Sequence, residues 1–262
     1  MTIDLLVLGL DDVLFETHAA HFESCNHAFE KCGLSHQWSV EQYRRAALAH
    51  GGANAIRSVV EKSGAVIGRS NAAALSDEKN RLFHDLACQG RMTPNRGCMN
   101  LINEALEDGS KIAIVTDLPA QTAAVLLEQA FNDRLTDMFA TIASGVSFDS
   151  PSDNNAYHLV LRTIGADPWR SVAIESFTSA LLEAQRAGLW TLATTPHADD
   201  RDSVIGSDAW CPHLRARKQS SAMANLVEGR QGQIISFEML DAMKNASRVS
   251  PSFARATTAA WA

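Results

Sequence analysis

The sequence predicts an α/β fold: a doubly wound parallel sheet with helices on both faces and an all-helical domain inserted after the first strand. Two observations predict it. Short apolar runs, typical of strands buried in a parallel sheet, alternate with longer segments that carry apolar residues at helical spacing. The stretch 16–91 breaks this alternation, because it follows the first apolar run and contains helical patterns only.

Five segments predict the strands of the sheet. The first covers residues 3–10, and the others are 111–116, 140–144, 171–175 and 190–194. The segments that connect them, 97–108, 119–131, 154–164 and 178–187, have the apolar spacing of helices. Three of these helices are followed by a glycine, where a helix commonly ends in a left-handed residue: Gly109, Gly165 and Gly188.

The inserted stretch predicts a helical cap. Its first helix covers 17–32, and its second begins after Ser39, whose spacing to Gln42 matches a capping box, and ends at Gly51-Gly52. Further helices are predicted over 55–62 and 72–87. An insertion after the first strand lies over the carboxyl edge of the sheet, where doubly wound folds bind ligands. We therefore divide the chain into a core (1–15 and 92–247), a cap (16–91) and a flexible tail (248–262).

Composition excludes several classes of partner. The chain has 262 residues, 46% hydrophobic and 20% charged, which is typical of a soluble globular protein. Its net charge of −7 argues against nucleic acid or an anionic membrane surface as a partner, because both repel it. No apolar run is long enough to span a membrane, and no signal peptide pattern is present. Five cysteines, never in Cys-x-x-Cys spacing, predict free thiols in a reducing cytoplasm.

A motif at the end of the first strand suggests a family. Residues 9–14 read Gly-Leu-Asp-Asp-Val-Leu, which resembles the first motif, Asp-x-Asp-Gly-x-Leu, of the haloacid-dehalogenase (HAD) phosphohydrolases. Over residues 1–247 the chain resembles the CbbY type, the Rubisco-operon phosphatases, at His21, Trp38, Gly51-Gly52 and Gly188 among other positions. The resemblance implies a Rossmann-like core, a helical cap, a Mg²⁺ ion and a small phosphosugar or sugar bisphosphate as substrate.

The resemblance also assigns the catalytic positions, and several of them are altered. In the family the first Asp of the motif is the nucleophile and the second is an acid/base; here these positions hold Gly9 and Asp11. Thr116 retains the hydroxyl of the second motif. The lysine of the third motif is absent, with Ser150 in that region. The fourth motif, Glu-Asp-Ser, reads Glu175-Ser176-Phe177, so Ser176 replaces an acidic metal ligand while Glu175 remains.

The candidate substrate-binding residues are Glu16, His21, Arg57, Asp12 and Asp117. Two cap cations of the family are replaced by Ala53 and Ala55, which leaves Arg57 nearby. In an extended backbone Asp12 points away from the face of Asp11. Asp117 either reaches the crevice or, as the pattern favours, caps the helix that begins near Pro119.

Two side chains at the fourth motif have open roles. Glu175 is either a metal ligand or hydrogen-bonded to Thr116 or to a backbone amide. Phe177 has the size to fill the space of a phosphate group.

These losses predict a pseudoenzyme. Removal of a covalent nucleophile lowers turnover by about a million-fold, and with Ser176 in place of an acid we expect Mg²⁺ to bind weakly or not at all. The chain would then act by binding a protein partner or a phosphosugar. The alternative is a slow or repurposed Mg²⁺-dependent phosphohydrolase that uses Asp11, Thr116 and Glu175 on small sugar phosphates.

Overall fold

The computed structural model describes residues 2–59, 69–148, 155–195, 198–204, 206–212, 214 and 234–249. Its strands, in chain order, are β1 (Leu5–Gly9), β2 (Phe15–Glu16), β3 (Thr93–Pro94), β4 (Lys111–Val115), β5 (Thr141–Ala143), β6 (Ser171–Glu175), β7 (Trp190–Thr195) and β8 (Ala209–Pro212). Six of them form one parallel sheet in the order β5-β4-β1-β6-β7-β8. The five predicted strands are confirmed, and β8 is an addition that the sequence did not predict.

The helices are α1 (His18–Lys31), α2 (Val40–His50), α3 (Arg69–Cys88), α4 (Arg96–Glu107), α5 (Ala120–Phe131), α6 (Leu135–Met138), α7 (Ala156–Ile164), α8 (Thr178–Arg186) and α9 (Phe237–Val249). The predicted capping box is present at the start of α2, where Ser39 and Gln42 each accept from the other's backbone N–H. Within the described ranges, no helix has the length and apolarity needed to cross a membrane.

The two faces of the sheet carry separate hydrophobic clusters, as a doubly wound fold requires. Successive residues of a strand point to opposite faces. Leu6 and Leu8 of β1 therefore join the cluster that includes residues of α4 and α5. Leu5 and Val7 join the cluster formed with α7 and α8. The central position of β1 places its carboxyl end between the ends of β4 and β6, which is where the site is built.

The insertion between β2 and β3, here called the cap, is helical and has its own hydrophobic cluster. Phe29, Trp38, Tyr43 and Leu75 belong to that cluster. The chain leaves and re-enters the core through the antiparallel pair β2–β3. Of the helix predicted over 55–62, residues 57–59 are helical and 60–62 lie outside the described residues.

The domain boundaries drawn from the sequence remain a prediction. Of the predicted tail, residues 250–262 lie outside the described residues, and α9 continues to Val249.

Candidate functional site

At the end of β1, the absence of a side chain on Gly9 lets a carboxyl group approach the backbone. A Cβ atom at residue 9 would lie 2.9 Å from the carboxyl carbon of Glu175 and 3.2 Å from its Oε1. The first separation is shorter than real Cβ contacts, and the second is tighter than most of them. The Glu175 carboxyl therefore occupies the space that any side chain at residue 9 would need.

Glu175 is held in this position by a tyrosine. The hydroxyl of Tyr157, on α7, donates to Glu175 Oε1 at 2.6 Å, and both residues are buried. Burial raises the pKa of Glu175 to about 8, and the charges of Asp117 and Asp11 raise it too, against the Tyr157 hydrogen bond. Glu175 is therefore mostly a neutral acid at pH 7. The hydrogen-bond partner of Glu175 is therefore Tyr157, whereas the sequence suggested Thr116 or a backbone amide.

Asp11 is buried with two defined contacts. Its Oδ1 lies 2.9 Å from His21 Nε2, and its backbone carbonyl accepts a hydrogen bond of 2.8 Å from Ser176 Oγ. Burial lowers the pKa of His21, as does the charge of Lys79, against the attraction of Asp11. A neutral imidazole then donates from Nε2 to the carboxylate. Asp11 Oδ2 has no hydrogen-bond partner among the described residues.

The extended backbone expected at Asp12 is wrong. Its φ is 56°, in the left-handed region that Asp and Asn tolerate better than most residues. From there Asp12 Oδ1 accepts from the backbone N–H groups of Thr17 (3.1 Å) and His18 (2.9 Å) at the start of α1. Burial raises the pKa of Asp12, but the His18 hydrogen bond and charge, with His21 and Thr17, outweigh it and lower the pKa. The Asp12 carboxylate therefore caps the N-terminus of α1.

Two polar residues follow β4. Thr116 is buried, and its Oγ1 accepts from the Leu118 N–H at 3.2 Å. Asp117 Oδ2 accepts from Asn54 Nδ2 of the cap at 2.6 Å, so the prediction that it caps the next helix is wrong; α5 begins after Pro119 without a side-chain cap. Burial raises the pKa of Asp117 to about 7, and the charge of Asp11 adds to the effect.

Phe177 lies between the core and the double glycine of the cap. It is only 4% exposed, and its ring packs edge-on against Phe148 at 5.3 Å. A Cβ on Gly51, which has φ 80°, would lie 2.9–3.0 Å from the Phe177 ring. A Cβ on Gly52 would lie 2.9 Å from His21 Cγ. The cap therefore contacts the core at Phe177 at a distance that only glycine permits at residue 51, and within the cap Gly52 leaves room for the ring of His21.

The sequence reasoning missed a buried cation, Lys79 of α3. Lys79 is 0% exposed, its Nζ donates to the backbone carbonyl of Ala53 at 3.1 Å, and it lies 5.2 Å from the Phe83 ring. Burial lowers the pKa of Lys79, whereas Cys25, Asp11 and Asp117 raise it through their charges. A signal existed: Leu75, Lys79 and Phe83 recur at the four-residue spacing of one helix face, so a lysine stands at a core position.

The other candidates are less central. Glu16 is half-buried in β2, Arg57 is exposed, and Ala55 is buried in the cap cluster. Ser150 lies outside the described residues.

The space left between cap and core at this point is small. It measures ≈ 10 Å³ and is lined by Asp12, His18, Arg44, Ala47, Leu48, Gly52 and Ser176. That volume is about what one water molecule needs. A sugar phosphate does not fit in it.

The residues present do not fit a Mg²⁺ ion in this arrangement. Mg²⁺ takes octahedral oxygen coordination, usually through one or two carboxylates together with water and phosphate oxygens. In this arrangement the Asp11 carbonyl accepts from the Ser176 hydroxyl, and Glu175 Oε1 accepts from the Tyr157 hydroxyl. Across the described part of the chain, no group of three or more His, Cys, Asp and Glu side chains is arranged to hold a metal ion.

Comparison with known proteins gives the family. The sequence profile of the haloacid dehalogenase-like hydrolases matches residues 6–194. Protein CbbY of Rhodobacter capsulatus is 27% identical over 218 residues, which cover 82% of this chain and 96% of that protein. The crystal structure of CbbY from Rhodobacter sphaeroides with phosphate superposes with a TM-score of 0.66 at 24% identity, over 80% of this chain and 93% of that one. A variant of that CbbY was solved with xylulose-1,5-bisphosphate and superposes with the same score. The chain belongs to the haloacid dehalogenase-like hydrolase family and is similar to its CbbY proteins.

Proposed function

We propose that this chain is a catalytically silent CbbY-like protein that acts by binding rather than by hydrolysis. One observation carries the proposal: the carboxyl group of Glu175 fills the space beside Gly9 where the family's nucleophile would stand. Without a nucleophile at this place, none of the residues that the structure describes at the end of β1 is positioned to attack a phosphorus atom. Asp11, the retained acid, is two residues further along and bonded to His21.

The site also has fewer cations to compensate the negative charge of a phosphoryl group than the family pattern provides. Transfer of a phosphoryl group requires cations or hydrogen-bond donors aimed at the oxygens that gain charge. The metal position has a serine hydroxyl directed to the Asp11 carbonyl, and the cap positions of two family cations hold Ala53 and Ala55. These substitutions support a retired active site, in which Mg²⁺ binding is weak or absent.

A protein partner is the favoured ligand. The related CbbY structure shows that a protein of this type binds a sugar bisphosphate. In this chain the space described between cap and core holds about one water molecule, so a phosphosugar would bind there only after the cap moved. The outer surface needs no such movement. Five free cysteines support a reducing, cytoplasmic setting for this interaction.

The test is phosphate release with Mg²⁺ from an aryl phosphate and a panel of sugar phosphates and bisphosphates. The parent protein is compared with Asp11→Asn, with Gly9→Asp, and with Gly9→Asp combined with Tyr157→Phe, which frees the Glu175 carboxyl. We expect no turnover in the parent, and more turnover in the double variant than in Gly9→Asp alone. Parent turnover that is lost in Asp11→Asn overturns the proposal.

A slow phosphohydrolase is the second candidate, and one observation favours it. Lys79 brings a buried cation into the electrostatic environment of Asp11 and Asp117, which could partly replace the missing third-motif lysine. This candidate predicts that Lys79→Met and Asp11→Asn each abolish a measurable parent activity. If the parent releases no phosphate above the rate of an Asp11→Asn control, this candidate is excluded.

A further inference from the structure

Three buried contacts join the cap to the core around the crevice. His21 of α1 bonds to Asp11 at 2.9 Å, and Asn54 bonds to Asp117 at 2.6 Å. The third contact is the packing of Phe177 against Gly51. Each pairs a cap residue with a residue at the carboxyl edge of the sheet, where a ligand of the family would bind. We call these three contacts the latch.

We propose that the latch holds the cap closed on the core without ligand or metal. The proposal rests on the proposed function only in treating this crevice as a former substrate site. In a two-domain enzyme, bound ligand commonly supplies the contacts that favour the closed state. Here the protein's own side chains supply them, so the closed state is the resting state.

The apolar part of the latch is the ring of Phe177. At 4% exposure it is almost completely removed from water, with core residue Phe148 on one side and the cap on the other. If the cap opened, the face of the ring that lies on Gly51 would become exposed, which is unfavourable. The motif residue that departs from the family's small polar side chain therefore favours closure.

In the polar part of the latch, a buried lysine of the cap attracts the two acidic side chains of the core. Asp11 and Asp117 lie in the same buried region as Lys79 of the cap, whose charge attracts both. Opening the cap would separate this cation from the two acids of the core. A lysine of the cap thus contributes positive charge to the two acids of the core while the cap is closed.

Two further contacts between cap and core act in the same direction. Arg44 of α2 forms an ion pair of 2.9 Å with Asp200 of the core, which is 0% exposed. Ser179 of α8 donates to the backbone carbonyl of Ala49 at 3.0 Å. Helix α2 therefore adds two contacts with the core to the three contacts of the latch.

The experiment measures how fast the interface becomes accessible. Ser176→Cys places a thiol in the space between cap and core, in a background in which Cys88 and Cys32 are replaced by serine; Cys25, Cys98 and Cys211 are buried. Labelling by an aromatic disulfide is followed in the native protein, with and without Mg²⁺ plus inorganic phosphate. Phe177→Ala is then added, with Phe131→Ala as a control that removes an equally buried ring from the core.

The latch predicts slow labelling that Mg²⁺ and phosphate leave unchanged. It predicts roughly tenfold or faster labelling in Phe177→Ala, and a much smaller change in Phe131→Ala. Three results overturn it: labelling as fast as in the urea-unfolded chain, labelling slowed by Mg²⁺ and phosphate, or equal effects of the two phenylalanine variants. Circular dichroism confirms that each variant is folded.

The outcome is independent of the phosphate assay. A protein that labels slowly but releases phosphate refutes the proposed function and leaves the latch, whereas fast labelling without phosphate release does the reverse.

Discussion

At the scale of single residues, the position of the Glu175 carboxyl depends on the absence of a side chain at Gly9. The missing side chain at Gly9 gives room for the Glu175 carboxyl, and the Tyr157 hydroxyl keeps the carboxyl there. A carboxyl group in such a place is stable as the neutral acid, because burial disfavours its charge. The glycine at residue 9 therefore leaves space for a carboxyl group that burial favours in its neutral form.

A double-mutant cycle tests this coupling. Gly9→Ala adds a Cβ that collides with the carboxyl group, and we expect it to lower the free energy of unfolding by about 1–3 kcal/mol. In a Glu175→Ala background the collision is gone, so the same change should have little effect. Urea unfolding of the four proteins measures the difference. Equal effects of Gly9→Ala in both backgrounds would contradict the contact.

Glu175 also predicts how stability depends on pH. Its pKa is about 8 in the folded chain and near 4.5 when unfolded, so between these values the folded state holds a proton that the unfolded state has released. Stability therefore falls as the pH rises through this window, by about 1.4 kcal/mol per pH unit for one such group, and levels off above it.

The matched variant is Glu175→Gln, which keeps an oxygen for Tyr157. It should flatten the decline. The slope that remains below about pH 7 combines Asp117, whose raised pKa acts in the same direction, with His21, whose lowered pKa acts in the opposite direction. Urea unfolding of both proteins from about pH 5 to pH 9 measures the slopes. Parallel curves for the two proteins would show that Glu175 is not the titrating group.

At the scale of elements, the start of α1 depends on a departure from the family motif. Asp12 stands where the motif has glycine, and its left-handed backbone allows the carboxylate to accept from two N–H groups at the helix start. Thr17, at the N-cap position, makes no side-chain capping bond of its own. The helix that carries His21 to Asp11 is thus capped from within the motif.

Asp12→Ala should lower the free energy of unfolding by about 2–3 kcal/mol, because it removes the cap and places alanine in a left-handed conformation. Asp12→Asn keeps an acceptor oxygen and tolerates this backbone, so we expect a loss below about 1 kcal/mol. The comparison is made by urea unfolding monitored by circular dichroism. If alanine and asparagine were equally tolerated, the cap would have no energetic role.

Most elements could be predicted because their signals are local. Alternating strand and helix patterns identify five strands of the sheet, and the Ser39–Gln42 spacing identifies the start of α2. By contrast β8 is four residues long and ends at Pro212, which leaves too short a pattern to recognise. The conformation of Asp12 also escaped prediction, since it depends on an interaction with a helix that starts six residues later.

The site could be predicted only in part, for a similar reason. The carboxyl ends of parallel strands meet at one edge of the sheet, which predicts that Gly9, Thr116 and Glu175 lie near one another. Their partners could not be predicted, because Tyr157 and Asn54 reach the site through packing between elements distant in the chain. Lys79 left a signal in its helix pattern, but that pattern does not say which charges a buried lysine will face.

At the scale of the whole molecule, cap and core share buried contacts and are expected to unfold together. The cap has its own hydrophobic cluster, yet His21, Asn54 and Lys79 of the cap have their charged or polar counterparts in the core. Separating the two parts would leave these groups without their partners, which is unfavourable in a buried setting. The two segments that connect cap and core, β2 and β3, also pair with each other as antiparallel strands.

Scanning calorimetry tests this expectation. We expect one transition in which the calorimetric and van't Hoff enthalpies agree. Phe177→Ala should bring the two enthalpies apart, since it weakens the coupling of the two parts. Two separate transitions in the parent protein would mean that cap and core are thermodynamically independent.

Gly52 sets how closely its own segment approaches α1 inside the cap. Its backbone is not in the left-handed region, and the three atoms nearest to the Cβ of an alanine there all belong to the ring of His21. Because His21 Nε2 lies 2.9 Å from Asp11 Oδ1, Gly52→Ala would displace an imidazole that joins the cap to the core. A single methyl group within the cap would in this way weaken its contact with the core, and the surfaces between the two would become accessible to ligands in solution.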